Sequence, residues 1–282
     1  LLTAAIGTIP SLAVTSRSSS LFSAACDPPH SDDSHAPLRR VLTEFREKEH
    51  VIRKRWEDDE EHGFRKLPAR AWPPYQPDAD ALPELRKKAA SCQAATSSSS
   101  FSSSSSSSSS SDCDKILFDL ASCLVFNNLD GPAALQQFES LAAAGHVDSH
   151  VAAGVLLVEG LGCDCDVEAG VAHLATACEA GSAQGFYELG TAIYCGTVES
   201  IPNLTTGHVQ QVRNSNSEAF ALFEKAAAQG HIGGSFMTGD MLLEGEGCTK
   251  DVVRAVPLVM RAAEAGHRFG RQRMRQLLDS TR

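Results

Sequence analysis

Apolar positions in the second half of the chain follow one pattern that occurs four times. In each copy a small residue, a larger apolar residue and a second small residue stand eleven, seven and three positions before a glycine. The spacing of four places all three on one face of a helix, and glycine suits the left-handed position that ends a helix. The pattern therefore predicts four helices that each let a neighbour approach closely. The residues eleven positions back are Ala134, Gly170, Ala219 and Ala255, and the terminal glycines are Gly145, Gly181, Gly230 and Gly266.

A second glycine series predicts the partner helices. Each of these helices holds one internal glycine, with an apolar residue three positions later, and ends at another glycine. A glycine inside a helix costs roughly 1 kcal/mol against alanine, so its recurrence indicates that another helix crosses there with almost no room. The internal glycines are Gly154, Gly190 and Gly239, and the terminal ones are Gly160, Gly196 and Gly245.

The three glycine series share one period. Within each series, successive glycines are 36 and then 49 residues apart, and the series from Gly145 to Gly266 has a further interval of 36. A common period of this length is typical of a solenoid, in which each unit buries its apolar face only against its neighbours. We therefore predict an all-α, right-handed α-solenoid of three antiparallel helix pairs, preceded by a degenerate pair that includes Asp114–Phe126. The 13-residue excess lies between Gly196 and Glu218 and should only lengthen one turn.

The rest of the chain divides by composition into three further segments. Residues 1–37 are predicted to be disordered; their Ser- and Thr-rich, acid-poor beginning also resembles the end of an organellar transit peptide. Residues 38–67 are predicted to form a charged amphipathic helix that either folds back on the repeats or binds elsewhere. Residues 68–111 are a Pro-rich strap, with a PxxP ligand as the alternative, and a poly-Ser linker. The repeat domain occupies residues 112–282, where an Arg-rich last helix caps the open end.

Charge is distributed unevenly along the 282 residues. The formal net charge is −10, but residues 112–249 hold 3 basic and 18 acidic side chains, a net charge of −15. Residues 250–282 hold 8 basic and 3 acidic side chains. An acidic body repels phosphate backbones, which argues against nucleic-acid binding by the repeats. The sequence contains no run of 18 apolar residues, so it predicts no transmembrane helix.

Nine cysteines are too few for a disulfide scaffold. Cys163 and Cys248 occupy the same repeat position, which places them about two repeats apart and out of bonding distance. We therefore expect reduced, partly buried thiols. Cys163-Asp164-Cys165 lacks a second ligand pair for a metal, and the sequence contains no GxSxG, HExxH or phosphate-binding loop. The sequence predicts no enzyme, no cofactor and no metal site.

The repeat resembles the Sel-one-like repeat family, a relative of the tetratricopeptide repeat, over about residues 130–267. The segments that carry the resemblance are AQGFYELGTAIYCG, EAFALFEKAAAQGH and GDMLLEGEGCTKDVVRAVPLVMRAAEAGH. Ile193 and two leucines stand where the family usually has tyrosine, and Pro257 lies inside the second helix of the last pair. The resemblance implies stacked helix pairs.

We therefore expect a non-enzymatic adaptor or scaffold for the assembly of a multiprotein complex. Its partner, a protein or peptide of basic character, would bind the concave face lined by the helices that contain Gly154, Gly190 and Gly239. The alternative is a subunit or assembly factor of an organellar complex, in which the N-terminal helix wraps a partner. The sequence leaves the compartment open between cytoplasm and mitochondrion.

Overall fold

The computed structural model describes residues 43, 81–98, 108–127, 130–198, 200–202, 209–211 and 215–280. This part of the chain contains ten helices and one small hairpin of two strands. The bounds are α1 Leu82–Ser98, α2 Ser108–Phe126, α3 Gly131–Ala143, α4 Val147–Glu159, α5 Val167–Glu179, α6 Ala183–Tyr194, β1 Ser200–Pro202, β2 Val209–Gln211, α7 Ser215–Ala228, α8 Ile232–Glu244, α9 Val252–Glu264 and α10 Arg268–Ser280.

Each helix packs against the helices that precede and follow it in the chain, and α4 also contacts α6. Contacts of this kind define a solenoid of stacked pairs. The pairs are α4–α5, α6–α7 and α8–α9, with α2–α3 before them and α10 after them. The predicted fold class is confirmed.

Side-chain caps and glycines set where the helices begin and end. In two of the three pairs the second helix starts at an aspartate: Asp166 and Asp251 each accept a hydrogen bond from the backbone N–H three residues on, at 3.0 Å. This contact satisfies one of the amide groups that a helix start leaves unpaired. Every helix from α3 to α9 is followed closely by a glycine with positive φ, between 64° and 93°, a conformation that other residues rarely adopt. The glycines are Gly145, Gly160, Gly181, Gly196, Gly230, Gly245 and Gly266.

The small–large–small face of each second helix lies in the core. The larger residues are 1% exposed or less, and the alanines eleven positions before the terminal glycines are fully buried. One apolar cluster extends from α2 to α8, and a second one joins α8, α9 and α10. The larger residues are Phe138, Leu174, Phe223 and Val259. Ala134, Ala219 and Ala255 are the fully buried alanines.

The internal glycines lie where the two helices of a pair cross. A Cβ atom added to Gly154 would lie 2.7 Å from Leu174 Cγ and 2.9 Å from the Gly170 carbonyl oxygen. At Gly190 it would lie 2.9 Å from Phe223 Cε1, and at Gly239 it would lie 2.7 Å from Val259 Cγ2. These separations are shorter than carbon atoms accept in a packed interior, so the helix pairs approach to a distance that a larger residue would prevent.

Two secondary-structure predictions require correction. Residues 68–111 were expected to form a strap and a linker, but α1 lies within that range and packs on α2. The 13-residue excess was expected only to lengthen a turn, but it contains an antiparallel hairpin in which Ile201 pairs with Gln210. Short strands were overlooked because the dominant period of the surrounding sequence is helical. β1 contacts α5, so the hairpin is held against the array.

The expectation that all cysteines are reduced is wrong for one pair. Cys92 of α1 and Cys113 of α2 form a disulfide, with their Cα atoms 5.6 Å apart. Sequence spacing does not show this pairing, because it depends on how α1 packs against α2. Six other cysteines are free thiols in the described part of the chain: Cys123, Cys163, Cys165, Cys178, Cys195 and Cys248.

The remaining N-terminal predictions fall on other parts of the chain. Residues 1–37, the helix predicted over 38–67 except for Thr43, and the Pro-rich residues 68–80 lie outside the described residues. Pro257 lies within α9 on its exposed side, and the helix continues to Glu264.

Candidate interaction surface

The first helices of the pairs, α4, α6 and α8, form one face of the array, which we call the first-helix face. Aromatic rings on this side contact the histidines that begin the next first helix. The ring centroids are 4.6 Å apart for Tyr187 and His231, and 4.7 Å apart for Phe236 and His267. The α4 unit has Val151 and Ser182 at the equivalent positions. The contacts therefore connect successive units at the start of their first helices.

The histidines act as neutral helix caps. His231 Nδ1 accepts a hydrogen bond from Gly234 N–H at 3.0 Å, and His267 Nδ1 accepts one from Gly270 N–H at 3.2 Å. Burial lowers the pKa of each imidazole to about 4, and in His231 the nearby His267 contributes as well. A neutral ring is required here, since only the unprotonated Nδ1 can accept. Each of these two histidines therefore caps the helix that follows it.

A pocket of about 270 Å³ opens between α4 and α6. Four of its nine lining residues are valine, leucine or alanine, and two glutamates contribute carboxylates. Glu159 is exposed at the end of α4, whereas Glu188 in the middle of α6 is only 4% exposed. The pocket is lined by Val155, Val158, Glu159, Leu174, Glu188, Thr191, Ala192, Cys195 and Thr197.

The buried carboxylate of Glu188 is held by a chain of hydrogen bonds. Gln184 Nε2 donates to Glu188 Oε1 at 2.7 Å. Gln184 Oε1 in turn accepts from His231 Nε2 at 2.9 Å. Because His231 Nδ1 accepts from Gly234 N–H, the ring proton must lie on Nε2, which fixes the orientation of the Gln184 amide. A buried charge is costly unless hydrogen bonds compensate it, and this chain supplies one of those bonds.

Acidic side chains continue along the face toward the C-terminal end. Arg273 of α10 pairs with Asp240, with Nε and Oδ1 2.8 Å apart, and also with Glu244. Burial raises the pKa of Asp240, and Arg273 opposes that shift. These ion pairs attach α10 to α8. Ile232 and Phe269, at the starts of these two helices, are 40% and 45% exposed, so the same two helices also present apolar surface.

The predicted repeat residues and the pocket residues are different sets. The glycines and alanines identified from the repeat pattern lie at helix ends and crossings and do not line the pocket. Sequence reasoning missed Glu188, although a signal existed: it is the only charged residue in α6. The equivalent positions in the neighbouring units are Ala152 and Met237, so the repeat architecture does not require a carboxylate there.

The described residues contain no group of three or more His, Cys, Asp or Glu side chains placed to hold a metal ion. Burial raises the pKa of the Cys163 and Cys248 thiols, and that of Cys178 to about 12, so these three sulfur atoms are poor nucleophiles at neutral pH. In the same part of the chain, no helix combines the length and hydrophobicity needed to span a membrane.

The match to a family model agrees with this architecture. The Sel1 repeat model matches residues 147–182, 205–231 and 234–267. Among solved structures, c5321, a protective antigen of uropathogenic Escherichia coli with an SLR fold, is 24% identical, with a TM-score of 0.48. A Sel1 repeat protein from Oxalobacter formigenes is 23% identical, also with a TM-score of 0.48. No curated protein matches the sequence.

These alignments cover 67% and 71% of this chain but only 34% and 50% of the two solved proteins. The chain thus spans about a third and a half of their lengths. The middle Sel1 match covers α7 but not α6, because the inserted hairpin separates the helices of that pair. The chain carries three Sel1 repeats. Proteins built from these repeats generally mediate protein–protein interaction.

Proposed function

We propose that this chain is a non-enzymatic adaptor or scaffold that binds a basic protein or peptide during the assembly of a multiprotein complex. The pocket between α4 and α6 is the observation that carries this proposal. It combines an apolar wall with two carboxylates on a face formed by helices of successive units. Apolar pockets with a few polar groups are the usual form of a binding site.

Electrostatics supports a partner of opposite charge. The net charge of −15 over residues 112–249 would attract a basic surface and raise its rate of association. The same field disfavours nucleic acid, whose phosphates would be repelled. Arg273, Asp240 and Glu244 already form ion pairs at the α10 end. We therefore place the binding surface on the α4–α6 side of the first-helix face.

A capture experiment in two salt concentrations tests the proposal. The tagged full chain is used as bait in extracts of its native cells at 50 and 300 mM salt. Screening by ions weakens interactions between exposed charges, so the partner should be retained at 50 mM and largely lost at 300 mM. Purified partner and bait should then reproduce this dependence. Retention that is indifferent to salt would count against selection by charge.

One observation favours the second candidate, a subunit or assembly factor of an organellar complex. Disulfides persist mainly in oxidising compartments, and Cys92 and Cys113 form one. In this alternative the repeats have a structural role only, and the N-terminal segment contacts the partner. The localisation of a full-length tagged chain separates the two candidates, because a cytosolic signal would remove the organellar one.

A further inference from the structure

We infer that the pocket between α4 and α6 binds the side chain of one lysine or arginine from the basic partner. This inference rests on the proposed function and specifies its site. The pocket volume is about 270 Å³, which is below the range of roughly 300–1,000 Å³ that is usual for drug-sized ligands. Its size therefore suits a single long side chain better than a whole small molecule.

The wall of the pocket matches the chemistry of such a side chain. Val155, Val158 and Ala192 provide apolar surface, against which the methylene groups of lysine or arginine can pack. Glu159 and Glu188 provide the negative charge for the cationic end. Charge-assisted hydrogen bonds of this kind are about twice as strong as neutral ones, so the two ends of the same side chain would be recognised by different parts of the pocket.

The position of Glu188 is the strongest indication. Its side chain is 4% exposed, and it lines the pocket between two successive first helices. A charge that is shielded from water interacts with an opposite charge more strongly than an exposed one does. Gln184 and His231 fix its orientation before any ligand arrives. A preorganised group of this kind avoids the ordering cost of binding.

The feature is also specific to this unit. Ala152 and Met237 occupy the equivalent positions, so stacking of the repeats is satisfied by apolar residues in the other two units. A charge that packing does not require points to recognition. We therefore place the anchor point of the partner at the second pair of the array.

The inference can be tested with the full-length chain and small probes of defined chemistry. N-acetyl-arginine amide and N-acetyl-lysine amide are titrated into methyl-labelled protein, with N-acetyl-citrulline amide as the uncharged analogue of arginine. Methyl resonances of Val155, Val158 and Leu174 should shift with the two cations and not with citrulline. Leu242, in the next pair of the array, serves as the internal reference and should stay unchanged.

Two variants and one control give the expected loss. Glu188→Gln and Glu159→Gln each remove one carboxylate from the pocket and should weaken binding of the arginine probe about tenfold. Glu264→Gln makes the same change of net charge at an exposed position on α9 and should alter the affinity less than about twofold. Glu159→Gln is the safer variant if Glu188→Gln disturbs the fold, since Glu159 is exposed.

The inference is overturned if citrulline shifts the pocket methyls as much as arginine does, or if neither cation shifts them. It is also overturned if both pocket variants keep the wild-type affinity. These outcomes differ from failure of the proposed function. A partner that still binds the first-helix face, with equal affinity for Glu159→Gln and wild type, would leave the adaptor proposal standing without this anchor.

Discussion

The close crossing of α4 and α5 gives the sharpest structural prediction. Gly154 and Gly170 face each other there, and a Cβ atom added to either would lie within 2.9 Å of the carbonyl oxygen of the other. The backbone cannot rotate away as a flexible side chain would. Alanine at either position must therefore push the two helices apart by about 0.5 Å.

Two opposing effects set the magnitude. Replacing a helical glycine by alanine gains about 1 kcal/mol of helix propensity, whereas overpacking a tight interior costs about 1–3 kcal/mol. The structure indicates the upper half of that cost, because backbone atoms are in contact on both sides. We expect Gly154→Ala and Gly170→Ala each to lower the free energy of unfolding by about 1–2 kcal/mol.

The two substitutions should also be coupled. Once one alanine has separated the helices, the second meets less resistance, so the double variant should lose less than the sum of the single losses by about 0.5 kcal/mol or more. Equilibrium urea denaturation followed by circular dichroism measures these values. Hydrogen exchange of α4 and α5 shows whether the change is local.

Ala221→Gly provides the matched control, because Ala221 is exposed in the middle of α7. It should cost about 1 kcal/mol and so calibrate helix propensity in this protein. The reasoning about crossings is refuted if Gly154→Ala and Gly170→Ala stabilise the chain by the amount that this control predicts. Strict additivity in the double variant would argue against direct contact between the two sites.

Three further predictions concern caps and cysteines. Asp251→Ala should lower the free energy of unfolding by about 1 kcal/mol, because Arg254 N–H loses its acceptor; Asp251→Asn, which keeps an acceptor, should lose much less in the same denaturation assay. The pKa of His231 and of His267 is depressed to about 4 in the folded state, so the unfolded chain binds more protons below pH 6.5 and stability should fall on acidification, by about 2 kcal/mol per histidine at pH 5. Replacing both histidines by Asn should flatten the melting temperature between pH 7 and 5, and an unchanged slope would contradict the assignment. Non-reducing peptide mapping should recover a fragment that joins Cys92 to Cys113, and its absence from protein purified without reductant would remove the disulfide.

The architecture could be predicted because repetition multiplies a weak signal. One Ala-rich stretch is compatible with many helices, but three glycine series in phase fix the length of the unit, its two helices and their close contact. The aspartates before α5 and α9 are also local signals, because an N-cap depends only on the next few residues. Such features need no knowledge of the tertiary structure.

The candidate site was less accessible to sequence reasoning, for a physical reason. The pocket residues come from α4, α5 and α6 and from the turn that follows α6, and their proximity depends on how the pairs stack. The pairing of Cys92 with Cys113 was missed for the same reason, because it depends on how α1 packs against α2. The hairpin over β1 and β2 was missed because each strand has only three residues, too few to show an alternating pattern.

Site-specific photo-crosslinking tests the central claim most directly. A photoreactive amino acid replaces Thr197, an exposed residue of the pocket between α4 and α6, or, as the control, Ala221 on the second helix α7, and the tagged full chains are irradiated in native cells. We predict that the partner retained at 50 mM salt is crosslinked from position 197 and not from position 221. Crosslinking of that partner from position 221 alone would contradict the assignment of the first-helix face as the binding surface.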